Sequence, residues 1–400
     1  MADKKHRDHR ELGQEMDLFS FHEIAPGAPF WHAKGMIIVK ELEKFIRKLQ
    51  DDHGYQEIST PIMVKKEVFE KSGHWEHFRK NMFWFKNPED ENEVLAIKPM
   101  NCPESTYVFN SKIRSYKDLP LRLAEIGRLH RNELSGTLGG LLRVRQMTMD
   151  DAHIYCRFDQ IKDELTSVLK MTEEFYDRLG LKISYGIGTR PESTMGEKKT
   201  WDEAEQILGE ALSSLGLKYE IMKGEGAFYG PKIHFDIKDS QDRTWTIATA
   251  QIDFQLPERF DITYIDEKGG RVRPVIIHRA IFGSFERFIG ILLEHFDGAL
   301  PFWLSPVQAQ VLTINDKVLG YAQNVTASLK SKNIRIELDA RNESIGKKIR
   351  EAEIQRVPYL LVIGEKEAVA GKVAVRERGK GDLGTMGIDE FLDKCEKGQK

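Results

Sequence analysis

The sequence predicts a mixed α/β protein in two domains. Apolar residues recur at helical spacing in some segments, and short β-branched or aromatic runs bounded by turn residues alternate with them. The chain has 400 residues, enough for two or three domains with a sizeable core. The pattern changes after FWLSPVQ (Phe302–Gln308), which reads as a linker into a smaller α/β segment.

Residues 33–53 place Ile37, Ile38, Leu42, Phe45, Ile46 and Leu49 on one helical face, and Gly54 ends the helix. YQEISTPIM follows as a strand reaching Pro61, and proline belongs at a strand edge or end, which also suits a subunit contact. A plain core helix and strand would give the same pattern. SGHWEHF (Ser72–Phe78) precedes the strand MFWFKN, an acidic turn PEDENE and the strand VLAIKPMNCP. Cys102 ends that strand just before a helix, where a thiol is more often packing than a ligand. Asp159 is expected to N-cap a helix with Ile161, Leu165, Val168, Leu169 and Phe175 on one face, closed by Gly180. LKISYGIGT reads as a strand, and Thr200 with Glu203 as a capping box opening the next helix.

GEGAFYGPKIHFDIKD (Gly224–Asp239) is a glycine-rich turn entering a strand, with Tyr229 and Lys232 at the entry. Thr244–Pro257 is a neighbouring strand, and Pro274–His295 is a strand that becomes a helix at Gly283. The C-terminal segment of roughly 95 residues has strands in QVLTIND, IRIELD, YLLVIG and KVAVRER. Helices are expected there at Lys317–Lys332, Ile345–Gln355 and Ile388–Lys397.

Composition sets outer bounds. Hydrophobic content of 40% and charged content of 31% are ordinary for a soluble globular protein. No apolar run is long enough to span a membrane, and the charged N-terminus is no secretory signal. Three cysteines, an odd and sparse set, suit a reducing, cytoplasmic compartment. The net charge of −3 gives no global basic signature for nucleic acid. Residues 306–400 hold 17 Lys and Arg against 14 Asp and Glu, a net +3, leaving −6 for the remainder. That mild asymmetry allows nucleic-acid contact by the C-terminal part without requiring it.

The densest chemistry lies in Leu121–Cys156, read as strand, loop and strand. Arg128, His130 and Arg131 precede the loop, Arg143 and Arg145 follow it, and the second arm runs into Asp150, Asp151 and His153. Cations beside carboxylates and an imidazole suit an anionic substrate that also carries an amine or a metal. An exposed hairpin with cross-strand ion pairs would look the same. Arg287, at a helix start, opposes the helix dipole and asks for an anionic partner, either a ligand or a nearby acid.

Taken together and in order, these pieces resemble the class II aminoacyl-tRNA synthetases, and among them the threonyl enzymes. The segment ending at Pro61 is similar to motif 1, the dimer element; HRNE (His130–Glu133) to motif 2; and HRAIFGSFERF (His278–Phe288) to motif 3. KPMNCP, DDAHIY, GEGAFYGPK, RNESIGKKIR and VPYLLVIG are characteristic of the threonine group. The resemblance implies an α+β fold. An antiparallel sheet of six or seven strands flanked by helices forms a catalytic domain over residues 1–303, and a smaller α/β anticodon-binding domain covers residues 304–400. It implies that Cys102, His153 and His278 hold one zinc ion, whose open positions take the amine and hydroxyl of L-threonine. The substrate pocket would include Asp151, Tyr229, Lys232, Gln251 and Met100. ATP would meet Arg131 at its α-phosphate, Glu133 at the adenine amino group and Arg287 at its γ-phosphate. Arg143, Met147, Gln251, Ser284 and Mg²⁺ would assist. His74 would lie beside the terminal ribose of tRNA(Thr), and Arg341, Asn342 and Glu343 near the anticodon. A cytoplasmic homodimer is implied.

Four positions depart from the commonest pattern of the family. Glu104-Ser105 stands where Gly-His is usual, Gly139 where a histidine is common, Met147 where an aromatic often packs on adenine, and Met149 for a usual glutamine. The N-terminal editing domains of many members have no counterpart here, so no editing in cis is expected, and a factor acting in trans would remove serine errors. The alternative is a synthetase-like tRNA-binding or regulatory paralogue that kept the fold and lost the chemistry. The presence of the metal and phosphate residues argues against it.

Overall fold

The computed structural model describes residues 7–399. Its main sheet contains β1 (Gln56–Glu57), β2 (Leu121–His130), β3 (Gln146–Cys156), β4 (Ile183–Gly188), β5 (Tyr219–Met222), β6 (Lys232–Lys238), β7 (Thr244–Asp253) and β8 (Val275–Ser284). The strand order is β5-β4-β6-β7-β8-β3-β2-β1. The six inner strands are antiparallel to one another, and one short strand pairs in parallel at each edge. The expected antiparallel sheet is therefore present. Its edge strand β1 stops short of Pro61, as a residue without a backbone N–H requires.

The helix Ile161–Asp177 buries Ile161, Leu165, Val168, Leu169 and Phe175, the stripe expected from the sequence. Phe175 stacks on Phe282 of β8 at 5.1 Å and on Phe45 at 5.2 Å, and Tyr176 donates to the Ile281 carbonyl at 3.0 Å. Two helix starts differ from expectation. Asp159 is not the N-cap; its carboxylate accepts from Arg157, and Gln160 takes the N-cap position. The Lys198–Ser214 helix begins before Thr200, and Glu203 faces Lys199 instead of reaching back to a cap. In both cases an arginine or lysine two to four residues away outcompetes the backbone for the carboxylate.

A second, three-stranded sheet pairs Val94–Ile97 with Met63–Lys65 on one side and Phe83–Lys86 on the other. Beside it a buried ion pair ties three segments. Lys98 donates to Glu125 at 2.9 Å and to the Thr60 hydroxyl at 2.8 Å, and Glu125 also accepts the Thr60 N–H.

The chain forms two compact units. One holds Glu23–Ala28 and Glu43–Phe288, and the other holds Pro29–Leu42 and Ile289–Lys400 with the segment up to His22. The second unit contains a five-stranded sheet in the order Ile336–Asp339, Ala309–Thr313, Tyr359–Ile363, Val373–Glu377, Gly381–Met386. The first three strands are parallel and the last two antiparallel. Helices Leu319–Ser331, Ile345–Ile354 and Ile388–Gln399 match expectation. Helices His9–Glu15 and Glu365–Ala370 and the glycine-bearing strand Gly381–Met386 were not expected. Among the described residues no helix is long and apolar enough to cross a membrane.

Removing the amine from the buried pair leaves Glu125 as an uncompensated charge. Lys98→Met is expected to cost about 3 kcal/mol, read as a lower urea midpoint at unchanged slope. A loss below about 0.5 kcal/mol, the size of an ordinary surface substitution, would show that the pair is not held out of water.

Candidate active site

Strand pleating puts alternate residues on one face, so Met149, Asp151 and His153 of β3 look one way and Asp150 the other. The β3–β8 register sets His153 opposite His278 and Asp151 opposite Ala280. The next rungs set His278 opposite Gln251 and Gln251 opposite Lys232. Cys102 opens the Cys102–Asn110 helix above this face.

The ligand atoms of Cys102, His153 and His278 lie within 4.8 Å of one another, and all three residues are buried. Their rings meet edge to face, with the His153 and His278 centroids 5.0 Å apart. His278 Nε2 lies 2.9 Å from the buried Asp253 carboxylate, which orients the ring. His153 Nε2 is buried with no hydrogen-bond partner among the described residues. Burial holds His153 well below the usual imidazole range, and neighbouring His278 adds to this, so its lone pair is free. Burial likewise pushes the Cys102 thiol well up. A thiol, an oriented imidazole and a second imidazole with an orphaned nitrogen fit a zinc ion with open positions. Bound metal would reverse the thiol's shift and hold it as thiolate.

Around this centre stand the residues expected to meet the amino acid. Asp151 accepts from Asn101 Nδ2 at 3.2 Å, and burial raises its pKa. Tyr229 donates to Gln251 at 2.6 Å, and its ring centroid is 5.3 Å from that of His278. Met100 is half-buried against the apolar cluster that contains Cys102. His74 is buried with Nδ1 2.8 Å from the Ser72 hydroxyl and Nε2 3.9 Å from Cys102 Sγ, and burial lowers its pKa to about 4.

Next to it on the same sheet face is a cleft of ≈ 600 Å³. Arg131, Glu133, Arg143, Met147, Ser284 and Arg287 line it, as does Lys232. Of the residues expected around ATP only Gln251 is outside this lining; it is engaged by Tyr229. Arg143 pairs with Glu133 at 2.8 Å. Arg131 and Arg287 instead donate to backbone carbonyls, of Pro99 at 3.2 Å and Leu142 at 3.0 Å. Among the described residues neither has a carboxylate at ion-pair distance. Loss of solvent lowers the pKa of both; Glu133 offsets this for Arg131, while neighbouring Arg143 adds to it for Arg287. Lys232 is lowered by burial too. Three under-compensated cations in one cleft call for a polyanion.

Arg341, Asn342 and Glu343 occupy the turn before the Ile345–Ile354 helix of the other unit. Arg341 donates to Asp339 and Glu351, both at 2.6 Å, beside a cavity of ≈ 300 Å³ that also meets the buried Lys348. Thr246, Thr249, Asn101 and Asp253 were not expected at either site. Asp253 could have been found by period two, two residues beyond Gln251 on one strand.

Residues 83–296 match the tRNA synthetase class II core domain (G, H, P, S and T), and residues 308–398 match an anticodon binding domain. The chain therefore belongs to the class II tRNA synthetases of that group. Within it, the chain falls in the threonyl-tRNA synthetase branch. It is 51% identical over 394 residues to the threonine–tRNA ligase of Carboxydothermus hydrogenoformans, and 52% identical over 394 residues to that of Clostridium botulinum (strain Langeland). These alignments cover 98% of this chain and 62% of each relative, so the chain spans about three-fifths of their length. The crystal structure of the RNA binding domain of threonyl-tRNA synthetase from Cryptosporidium parvum Iowa II superposes with a TM-score of 0.93 at 40% identity, covering 98% of both chains.

Glu104, in the first turn of the Cys102 helix, is buried with neither carboxylate oxygen hydrogen-bonded among the described residues. Burial pushes it up to about 8 from an ordinary 4.5. The folded state therefore holds a proton that the unfolded state releases, and stability falls as pH rises between these values. Glu104→Gln is expected to be more stable than the parent at pH 8 by about 1–3 kcal/mol, with the difference vanishing near pH 4.5. Equal denaturation midpoints at pH 8 would contradict this.

Proposed function

We propose that the chain ligates L-threonine to tRNA(Thr) at the expense of ATP, through threonyl-adenylate and with zinc selecting the amino acid. One observation carries the reading: a buried Cys–His–His centre and a cleft of under-compensated cations share one face of one sheet. The first suits an amine and hydroxyl, the second a triphosphate. In this reading residues up to 303 are catalytic and residues 304–400 bind the anticodon.

Cys102, His153 and His278 would hold the zinc, which supplies Lewis-acid positions for the amine and hydroxyl of threonine. Asp151 accepts hydrogen bonds from those groups, and Tyr229, with Gln251, closes the pocket. Valine has nearly the same shape but no hydroxyl, so it leaves these polar groups unpaired. A carboxylate oxygen of threonine attacks the α-phosphorus, and pyrophosphate leaves. Arg131 neutralises charge building on the α-phosphate and Arg287 holds the γ-phosphate, and Mg²⁺, when bound with ATP, would supply further positive charge there. Glu133 faces the adenine amino group while Met147 packs on the ring. The ribose hydroxyl of the tRNA end then attacks the adenylate carbonyl, releasing AMP, with His74 beside that ribose.

Serine also offers an amine and a hydroxyl, and its missing methyl is worth only ~1–3 kcal/mol. The site is expected to activate it, so correction would fall outside this cleft, for example to a separate factor. Exposed Ile62, Met63 and Phe85 near Pro61 support a second copy covering that sheet. Three free, buried cysteines support a reducing, cytoplasmic compartment.

Amino-acid-dependent ATP–pyrophosphate exchange tests the reading. Threonine should exchange strongly, serine roughly 10–200-fold less, valine not at all, and zinc removal should abolish the signal. No exchange in folded, zinc-loaded protein would favour the non-catalytic paralogue. Arg341→Ala should lower tRNA charging while sparing exchange; unchanged charging would remove Arg341 from the anticodon contact.

A further inference from the structure

The turn that delivers Arg287 to the cleft is built on a break in the sheet. Ala280 of β8 pairs with Asp151 of β3, but the next pair is Ser284 with Met149. Three residues of β8, Ile281 to Gly283, thus face the single residue Asp150. The bulge deprives three backbone N–H groups of ladder partners, and buried N–H groups need acceptors. The Asp150 carboxylate provides them. It accepts from Ile281 N at 2.8 Å, Gly283 N at 2.8 Å and Phe282 N at 3.3 Å. Arg279 Nη1 lies 3.7 Å behind it, and Asp150 is wholly buried on the side of the sheet away from the cleft. Gly283 takes a φ of +73°, a region that suits glycine, and turns the chain into the Phe285–His295 helix.

A second carboxylate runs the opposite way. Glu286, in the first turn of that helix and buried, accepts the Thr148 N–H of β3 at 2.9 Å. Ser284 sits between these two ties and Arg287 directly follows the second; both line the cleft, and Ser284 Oγ accepts the Arg287 N–H at 3.3 Å.

We propose that Asp150 and Glu286 are positioning residues, a reciprocal carboxylate clamp that sets how far Ser284 and Arg287 reach toward the triphosphate. Neither touches the ligand; each acts through the backbone of the β8 bulge or of β3. Asp150→Asn keeps the size but turns an N–H donor toward backbone N–H groups, which loosens the bulge. The proposal rests on the ATP-binding part of the reading above, and a binding measurement separates it from the rest.

The test uses the full chain with a non-hydrolysable ATP analogue in calorimetry, alongside exchange kinetics. Asp150→Asn should weaken analogue binding about tenfold, the scale of one charge-assisted contact, and raise the KM for ATP similarly. The KM for threonine should stay within about twofold, because its pocket lies on unbroken rungs of the sheet. A merely structural role would lower Tm and the active fraction while leaving the ATP dissociation constant alone. Analogue binding equal to the parent in folded Asp150→Asn, or equal weakening toward ATP and threonine, would overturn the clamp. If Asp150→Asn does not fold, Glu286→Gln decides by the same criteria. A parent chain that binds the analogue but shows no threonine-dependent exchange would overturn the ligase reading, and the clamp would still be judged on the binding ratio.

Discussion

The antiparallel register between β3 and β8 is the constraint on which the site depends. It sets His153 directly across from His278, and the adjoining rungs carry Gln251 and Lys232 onto the same face. A slip of one residue would turn His153 to the opposite face and bring Asp150 to this one. Two features resist such a slip. Both strands bury their far face against Phe175 and its neighbours, and the bulge opposite Asp150 admits only one pairing. Burial, register and site geometry are therefore one problem with one solution.

Electrostatics divides this face into two halves with different needs. Around Cys102 burial disfavours charge, with the Cys102 thiol and the His153 imidazole shifted away from their charged forms. Such donors suit a cation and are costly to leave without one. In the cleft Arg131 and Arg287 donate to backbone carbonyls and have no carboxylate at ion-pair distance among the described residues, which suits an anion. In the proposed reading, an amino acid held through its amine and hydroxyl in the first half would direct its carboxylate toward phosphate in the second. Proximity of that kind supplies a large share of the rate in a two-substrate reaction.

Much of the fold was legible in sequence because the signals were local. The amphipathic stripe Ile161–Phe175 and the apolar runs of β2, β3 and β8 follow directly from periodicity. The strand Gly381–Met386 was missed because its glycines carry no alternation, and the Asp159 cap because a nearby arginine took its carboxylate. The site was legible only in pieces. The cations of the β2–β3 hairpin and the arginine at a helix start pointed to an anion. No spacing, however, joins Cys102 to His153 and His278; strand pairing joins the two histidines, and the start of the Cys102–Asn110 helix brings the thiol to them. Family resemblance supplied the set, and the mutual distances of its ligand atoms are consistent with it. Asp150 reads in sequence as one more acid beside Asp151, yet pleating sends the two to opposite faces and to different work.

The central claim is that Cys102, His153 and His278 bind one zinc ion with positions left open for threonine. Zinc K-edge X-ray absorption on the purified chain tests it most directly. The account predicts one sulfur neighbour at about 2.3 Å and two imidazole nitrogens at about 2.0–2.1 Å, with the remaining light-atom neighbours changing when threonine is added. Protein that binds no zinc, or zinc with no sulfur neighbour and no response to threonine, would contradict it.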